Sequence, residues 1–248
     1  MEATISKNQQ KKLKKRELWQ LKRQEKKKKK IRKPKPKTLF RLNREEWDRR
    51  KAGNVKVIID CEFNELLTER EKTSLKQQIM FSYAENKKSE NPVDLKLTGV
   101  DDSMEQEIKN LSSGNWAIDI CKQNYIDLYE KEKLVYLTAD ATEEVDEFEK
   151  DKFYIIGGLV DHNRLKRITI DKANSQGIKS AKLPLGRFKD TKIDWSRVLA
   201  VNHVFQLVLK YVEFQDWPTA IECSLPPRKK QKTEEEAEEN KNEEAKTT

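Results

Sequence analysis

Histidine and cysteine are scarce in this chain, two and three residues respectively out of 248. Cys61, Cys121 and Cys223 lie far apart, no CxxC pair occurs, and His162 and His203 form no cluster near them. Neither a zinc site nor a disulfide framework is indicated, and the usage predicts a reducing compartment. Long apolar runs are missing too. Nothing approaches the roughly 18 residues of a membrane span, and the first residues lack the apolar core of a secretory signal. An intracellular, soluble protein without membrane contact or metal is expected. The seven glycines include no GxGxxG opening a helix and no GxxxxGK[ST], so a phosphate-bearing cofactor is disfavoured.

Charge, by contrast, is abundant and uneven. Charged residues make up 38% of the chain and apolar ones 35%. Residues 1–51 carry 22 Lys and Arg against six acidic residues, a net of +16. Residues 228–248 carry six against seven, so the +9 of the whole chain leaves −6 for residues 52–227. A basic arm, a mildly acidic body and a charged, low-complexity tail follow as the three divisions, 1–51, 52–227 and 228–248. The arm reads as disordered or as a fraying helix, ending at Pro34 and Pro36. A polyanion is its natural partner, with RNA contact the leading reading and nuclear targeting or solubilisation the alternatives. The basic clusters near Lys26–Lys37 and Arg228–Lys232 are compatible with a protein shared between nucleus and cytoplasm.

Within the body, apolar runs of strand length alternate with segments of helical period. Strands are predicted at 55–60, 94–100, 134–140, 152–160 and 180–185, with 116–121 a weaker sixth. One helix opens on the capping box Thr68 to Glu71, another runs from Arg164 to Gln176 and stops at Gly177, and a third spans Arg197–Tyr211 with apolar residues over more than half its circumference. This pattern predicts an α/β fold, a mostly parallel sheet with helices on both faces and its ligand beyond the carboxyl ends of the strands.

The segment "YIIGGLVDHNR", 154–164, lies at such an end. Paired glycines there either let a nucleoside-like ligand approach the backbone or simply permit a tight strand end. Asp161, three residues beyond them, is placed equally well to cap the next helix or to act as a general base. Arg164, Lys166 and Arg167 form a basic cluster suited to phosphates, or else an ordinary solvated face.

Five segments taken together, "YLTAD" (136–140), "YIIGGLVDHNR", "KLPLGRF" (182–188), "RVLAVNHVFQLVLKY" (197–211) and "LPPRK" (225–229), resemble the SPOUT-superfamily transfer-RNA methyltransferases that modify N1 of the purine at the ninth nucleotide. A fainter likeness begins at "VIIDCEFNELL". The resemblance implies a C-terminal trefoil knot, S-adenosyl-L-methionine as cofactor, tRNA as partner and a monomer. It implies Asp161 as the base. It places cofactor contacts at Leu137, Thr138, Gly157, Gly158, Thr169, Leu183, Val198, Leu199 and Ala200. RNA contacts are expected at Gln78, Arg164, Lys166 and Arg167. Asp60 and Gln78 match the family's pattern, whereas Phe81 stands where an arginine is frequent. Guanosine is the expected target; adenosine at the same nucleotide, or a non-catalytic RNA-binding subunit of a processing complex, are the alternatives.

Overall fold

The computed structural model describes residues 44–112, 116–161, 164–188 and 199–224. Along the chain these form helix α1 (Arg44–Lys51), strand β1 (Lys56–Asp60), α2 (Glu69–Lys88), β2 (Asp94–Thr98), α3 (Asp102–Ser112), β3 (Asp119–Ile120), α4 (Tyr125–Leu128), β4 (Leu134–Leu137), β5 (Phe153–Gly157), α5 (Ile168–Gln176), β6 (Lys179–Ala181), α6 (Val201–Phe214) and α7 (Trp217–Ser224). The strands form one sheet in the order β3-β2-β1-β5-β4-β6, and every pairing is parallel. This is the fold class expected from the sequence.

Both faces are covered, which is why the strands read as near-continuous apolar runs rather than alternating ones. Val57, Ile59, Tyr154 and Ile156 point to one face, where Leu75 and Ile79 of α2 and Phe205 and Val208 of α6 meet them. Ile58, Phe153, Ile155 and Tyr136 point to the other, against Ala173 of α5 and Tyr125 of α4. Ile58, Ile59 and Ile155 are fully buried. Each contributes about 1.5–3 kcal/mol of transfer free energy.

The capping box opens α2 as expected: the Thr68 amide donates to Glu71 Oε2 at 2.8 Å and the Glu71 amide to Thr68 Oγ1 at 3.4 Å. Gly177 stops α5 in the left-handed conformation, φ 65°. Other boundaries move. Helix α5 begins at Ile168, four residues later than its periodicity indicates, because Arg167 adopts φ 60° and ψ 3° and breaks the helical path just before it. Helix α6 starts at Val201, after an extended Ala200, and runs on to Phe214. Strand β6 stops at Ala181 instead of reaching 185, since Pro184 has no N–H for a ladder and Leu185 turns back to donate to the Leu183 carbonyl at 2.8 Å.

The division by charge at residue 51 is not where packing begins. Trp47 of α1 is buried and meets Tyr83 edge-on, with ring centroids 6.5 Å apart. Lys51 is buried between Asp119 and Asp94, at 3.0 and 3.1 Å. Residues 44–51 therefore belong to the folded body. The C-terminal knot is an implication of the resemblance; residues 189–198 lie outside the described residues, as do 1–43 of the arm and 225–248, which include the tail.

Candidate active site

A cavity of about 400 Å³ opens at the carboxyl ends of β4 and β5. Its walls come from six places. Leu137 and Thr138 end β4, Ile156 and Gly157 end β5, Lys182 and Leu183 follow β6, and Leu199 and Val201 lead into α6. Asp161 and Arg167 lie at the segment joining β5 to α5, and Thr169 reaches in from α5 itself. Parallel strands all end on the same side, so the topology alone gathers these sequence-distant residues at one edge. The size suits a nucleoside-sized ligand.

The glycines serve the packing of the protein itself. A β-carbon at Gly158 would stand 2.6 Å from the Asp60 carbonyl oxygen, which accepts the Gly158 amide at 2.8 Å. One at Gly157 would meet Thr169 Cγ2 at 2.9 Å and Tyr136 Oη at 3.1 Å. Gly158 thus lets the chain close on β1, and Gly157 admits Thr169, whose hydroxyl lies 2.8 Å from that of Thr138 across the cavity wall. Neither glycine adopts a positive φ. The tight strand end and the cavity wall are one structure.

Behind that wall, Asp60 is completely buried. Its carboxylate accepts from Tyr136 Oη at 2.8 Å and from Lys172 Nζ at 2.6 Å. Burial pushes its pKa above the usual carboxylate range, the nearby ammonium and hydroxyl notwithstanding. Lys172 lies 4.5 Å from the centre of the Phe63 ring, a cation–π contact.

Asp161 borders the cavity while its Oδ2 accepts the Leu165 amide at 2.6 Å. It caps a turn, since the helix proper starts only at Ile168, and it faces the site as well. Of the other expected residues, Leu137, Thr138, Gly157, Thr169, Leu183 and Leu199 line the cavity. Gly158 and Ala200 do not: the first is turned to Asp60, and the second accepts the amides of His203 and Val204 at the start of α6. Val198 and His162 lie outside the described residues. His203 is partly buried, which lowers its pKa.

The four residues assigned to RNA separate. Arg167 lines the cavity and pairs with Asp171 at 3.5 Å, and Lys166 is exposed. Arg164 is exposed, and donates to the Leu66 carbonyl at 3.1 Å and to Glu71 Oε2 at 3.3 Å. Gln78 is likewise engaged: its Oε1 accepts the Val201 amide at 2.9 Å and caps α6 from α2. Phe81 stands 51% exposed on the same helix.

Sequence reasoning missed Asp140 and Glu144, two carboxylates on the cavity wall. Asp140 sits inside the quoted "YLTAD" and was within reach. Glu144 had no such signal, because the backbone bridge between Glu144 and Lys182 is what brings it there.

A parallel α/β sheet carrying at its carboxyl edge a nucleoside-sized cavity with a tight glycine turn and an aspartate defines a ligand-binding class, and the comparisons narrow it. The chain belongs to the tRNA (guanine(9)-N(1))-methyltransferase TRM10/TRM10A family, whose model matches residues 3–230. The tRNA methyltransferase 10 homolog A of Rattus norvegicus is 41% identical over 180 residues, 71% of this chain and 53% of the relative. The tRNA (guanine(9)-N1)-methyltransferase of Schizosaccharomyces pombe is 35% identical over 183 residues, 71% of this chain and 60% of the relative. This chain spans about half the length of the curated relatives it matches. Among solved structures, full-length spTrm10 in an SAH complex is 33% identical with a TM-score of 0.63, covering 71% of this chain and 99% of that one.

Proposed function

We propose that the protein transfers a methyl group from S-adenosyl-L-methionine to N1 of the guanosine at the ninth nucleotide of tRNA. The observation that carries this reading is the Asp161 carboxylate on the rim of a cavity walled by the ends of β4 and β5 and the entry to α6. The lining fits the donor chemically. Leu137, Leu183, Leu199 and Val201 offer apolar surface for an adenine ring, and Thr138 and Thr169, with hydroxyls 2.8 Å apart, line the same cavity. Asp140 suits a ligand bearing cationic groups, whereas Glu144 is paired with Arg187 and Lys182. A relative's SAH complex at 33% identity supports the same ligand class.

When bound, the donor supplies a methyl group activated by positive sulfur. The chain must supply the rest. Guanine N1 carries a proton at neutral pH, and Asp161 takes it as the nitrogen lone pair attacks. Lys166 and Arg167, beside the cavity, neutralise phosphates flanking the target. Extruding the base costs a few kcal/mol, offset by those contacts and by the basic arm.

The test uses purified protein, the methyl donor and tRNA transcripts carrying G or A at the ninth position, with the methyl group located by mass spectrometry. Methyl on N1 of G is expected. Methyl on A alone removes the need for a base, and methyl on neither leaves only an RNA-binding role.

A further inference from the structure

We propose that Arg164 is a positioning residue: its guanidinium ties the segment carrying Asp161 to the amino-terminal cap of α2 and so fixes where the Asp161 carboxylate stands. The inference rests on the methyltransferase reading above and assigns to Arg164 a role other than phosphate binding. The bonds form an unbroken chain. Arg164 donates through one nitrogen to the Leu66 carbonyl at 3.1 Å and to Glu71 Oε2 at 3.3 Å. Glu71 is itself held, since the same oxygen accepts the Thr68 amide at 2.8 Å. At the other end the Arg164 amide donates to the Asp161 carbonyl at 3.1 Å, and the Leu165 amide to Asp161 Oδ2 at 2.6 Å. Both oxygens of Asp161 that these bonds fix depend on the placement of residues 164 and 165. The guanidinium binds that pair to the amino-terminal cap of α2.

Geometry explains why such a tie is useful. Immediately after it, Arg167 turns left-handed, so α5 gives residues 164–165 no helical hydrogen bonds to hold them. A guanidinium bridging a main-chain carbonyl and a carboxylate is orientationally demanding in a way that an ammonium is not. Glu71 is drawn below the ordinary carboxylate range, first by the Thr68 amide and further by Arg164, so it keeps its charge throughout the neutral range. A base displaced by about 1 Å loses on the order of 100-fold in rate.

The experiment compares Arg164→Ala, Arg164→Lys and Glu71→Gln in the full chain. Glutamine at 71 keeps an acceptor for the Thr68 amide and removes only the charge facing Arg164. With tRNA and donor saturating, the single-turnover rate of Arg164→Ala is expected to fall about 10- to 100-fold. Donor affinity by calorimetry and the salt slope of tRNA binding stay at the wild-type values. Arg164→Lys recovers part of the rate, Glu71→Gln loses part of it, and the double variant is little worse than Arg164→Ala alone. Independently of activity, the Leu165 amide exchanges faster with solvent in Arg164→Ala and Glu71→Gln. A wild-type rate in Arg164→Ala overturns the proposal. So does a salt slope lowered by about one, which makes Arg164 a phosphate contact. If the wild-type protein transfers no methyl group, the functional reading fails, and the exchange measurement alone decides the tie: unchanged protection at Leu165 refutes it.

Discussion

At the scale of single residues, the glycine pair shows how one sequence feature can answer two questions at once. Gly158 is required because the Asp60 carbonyl occupies the place of its side chain, and Gly157 because Thr169 and Tyr136 do. Alanine at 158 must push backbone against backbone, and nothing flexible is available to yield. Gly158→Ala is therefore expected to destabilise the fold by about 1–3 kcal/mol, read by urea denaturation. Donor binding should weaken only as far as the Gly157 wall is displaced, and a variant that loses all donor affinity at unchanged stability would place the missing side chain against the ligand instead. Asp161 calls for the opposite kind of substitution. Asn retains an oxygen for the Leu165 amide, so Asp161→Asn keeps the turn and removes only the capacity to take a proton. Guanosine methylation is expected to slow by about 100-fold or more with donor affinity intact. Full activity would leave the carboxylate with its capping role alone.

At the scale of elements, the junction between α2 and α6 matters most to the cavity. The Gln78 side chain caps Val201, and Val201 with Leu199 forms one wall. Gln78→Ala is expected to cost about 0.5–2 kcal/mol, the range for losing a helix cap, and to weaken donor binding because the wall loses its anchor. Weaker tRNA binding with donor affinity unchanged would instead support the RNA contact expected from the sequence. The strands, their parallel pairing and the α2 cap were legible beforehand, since apolar runs and Ser/Thr-x-x-Glu patterns are local signals. The start of α5 was not. "RLKRITIDKANSQ" reads as helix by composition, and nothing in that composition marks the left-handed turn at Arg167. Likewise the ties of the exposed Arg164 were not legible, because its partners, Leu66 and Glu71, stand nearly a hundred residues earlier.

At the scale of the molecule, charge separates what binds from what folds, but not at the boundary that counting suggests. Composition treats 44–51 as the end of the arm, because it cannot tell an arginine in solvent from one closing a helix. In the structure Arg50 donates to the Ser89 carbonyl at 2.6 Å, at the carboxyl end of α2, and Lys51 is drawn into a cluster of carboxylates. Burial opposes the Lys51 charge, yet the hydrogen bond it donates to Asp119 and the proximity of Asp94 outweigh it and raise its pKa. Residues 1–43 hold 18 Lys and Arg against three acidic residues, so almost all of the arm's net charge lies before α1. Two truncations should then behave differently. Removing 1–43 is expected to leave the melting temperature and donor affinity unchanged and to flatten the salt dependence of tRNA binding, by about 0.9 in the log–log slope for each phosphate the arm no longer neutralises. Removing 1–51 also takes away Trp47 and Lys51, exposing Tyr83 and leaving Asp94 and Asp119 without that cation, at a cost of about 1–3 kcal/mol or more. Thermal melts and fluorescence titrations between about 50 and roughly 200 mM salt separate the two effects. An unchanged slope after removal of 1–43 refutes the arm as the RNA grip, and equal stability of both truncations refutes α1 as part of the fold.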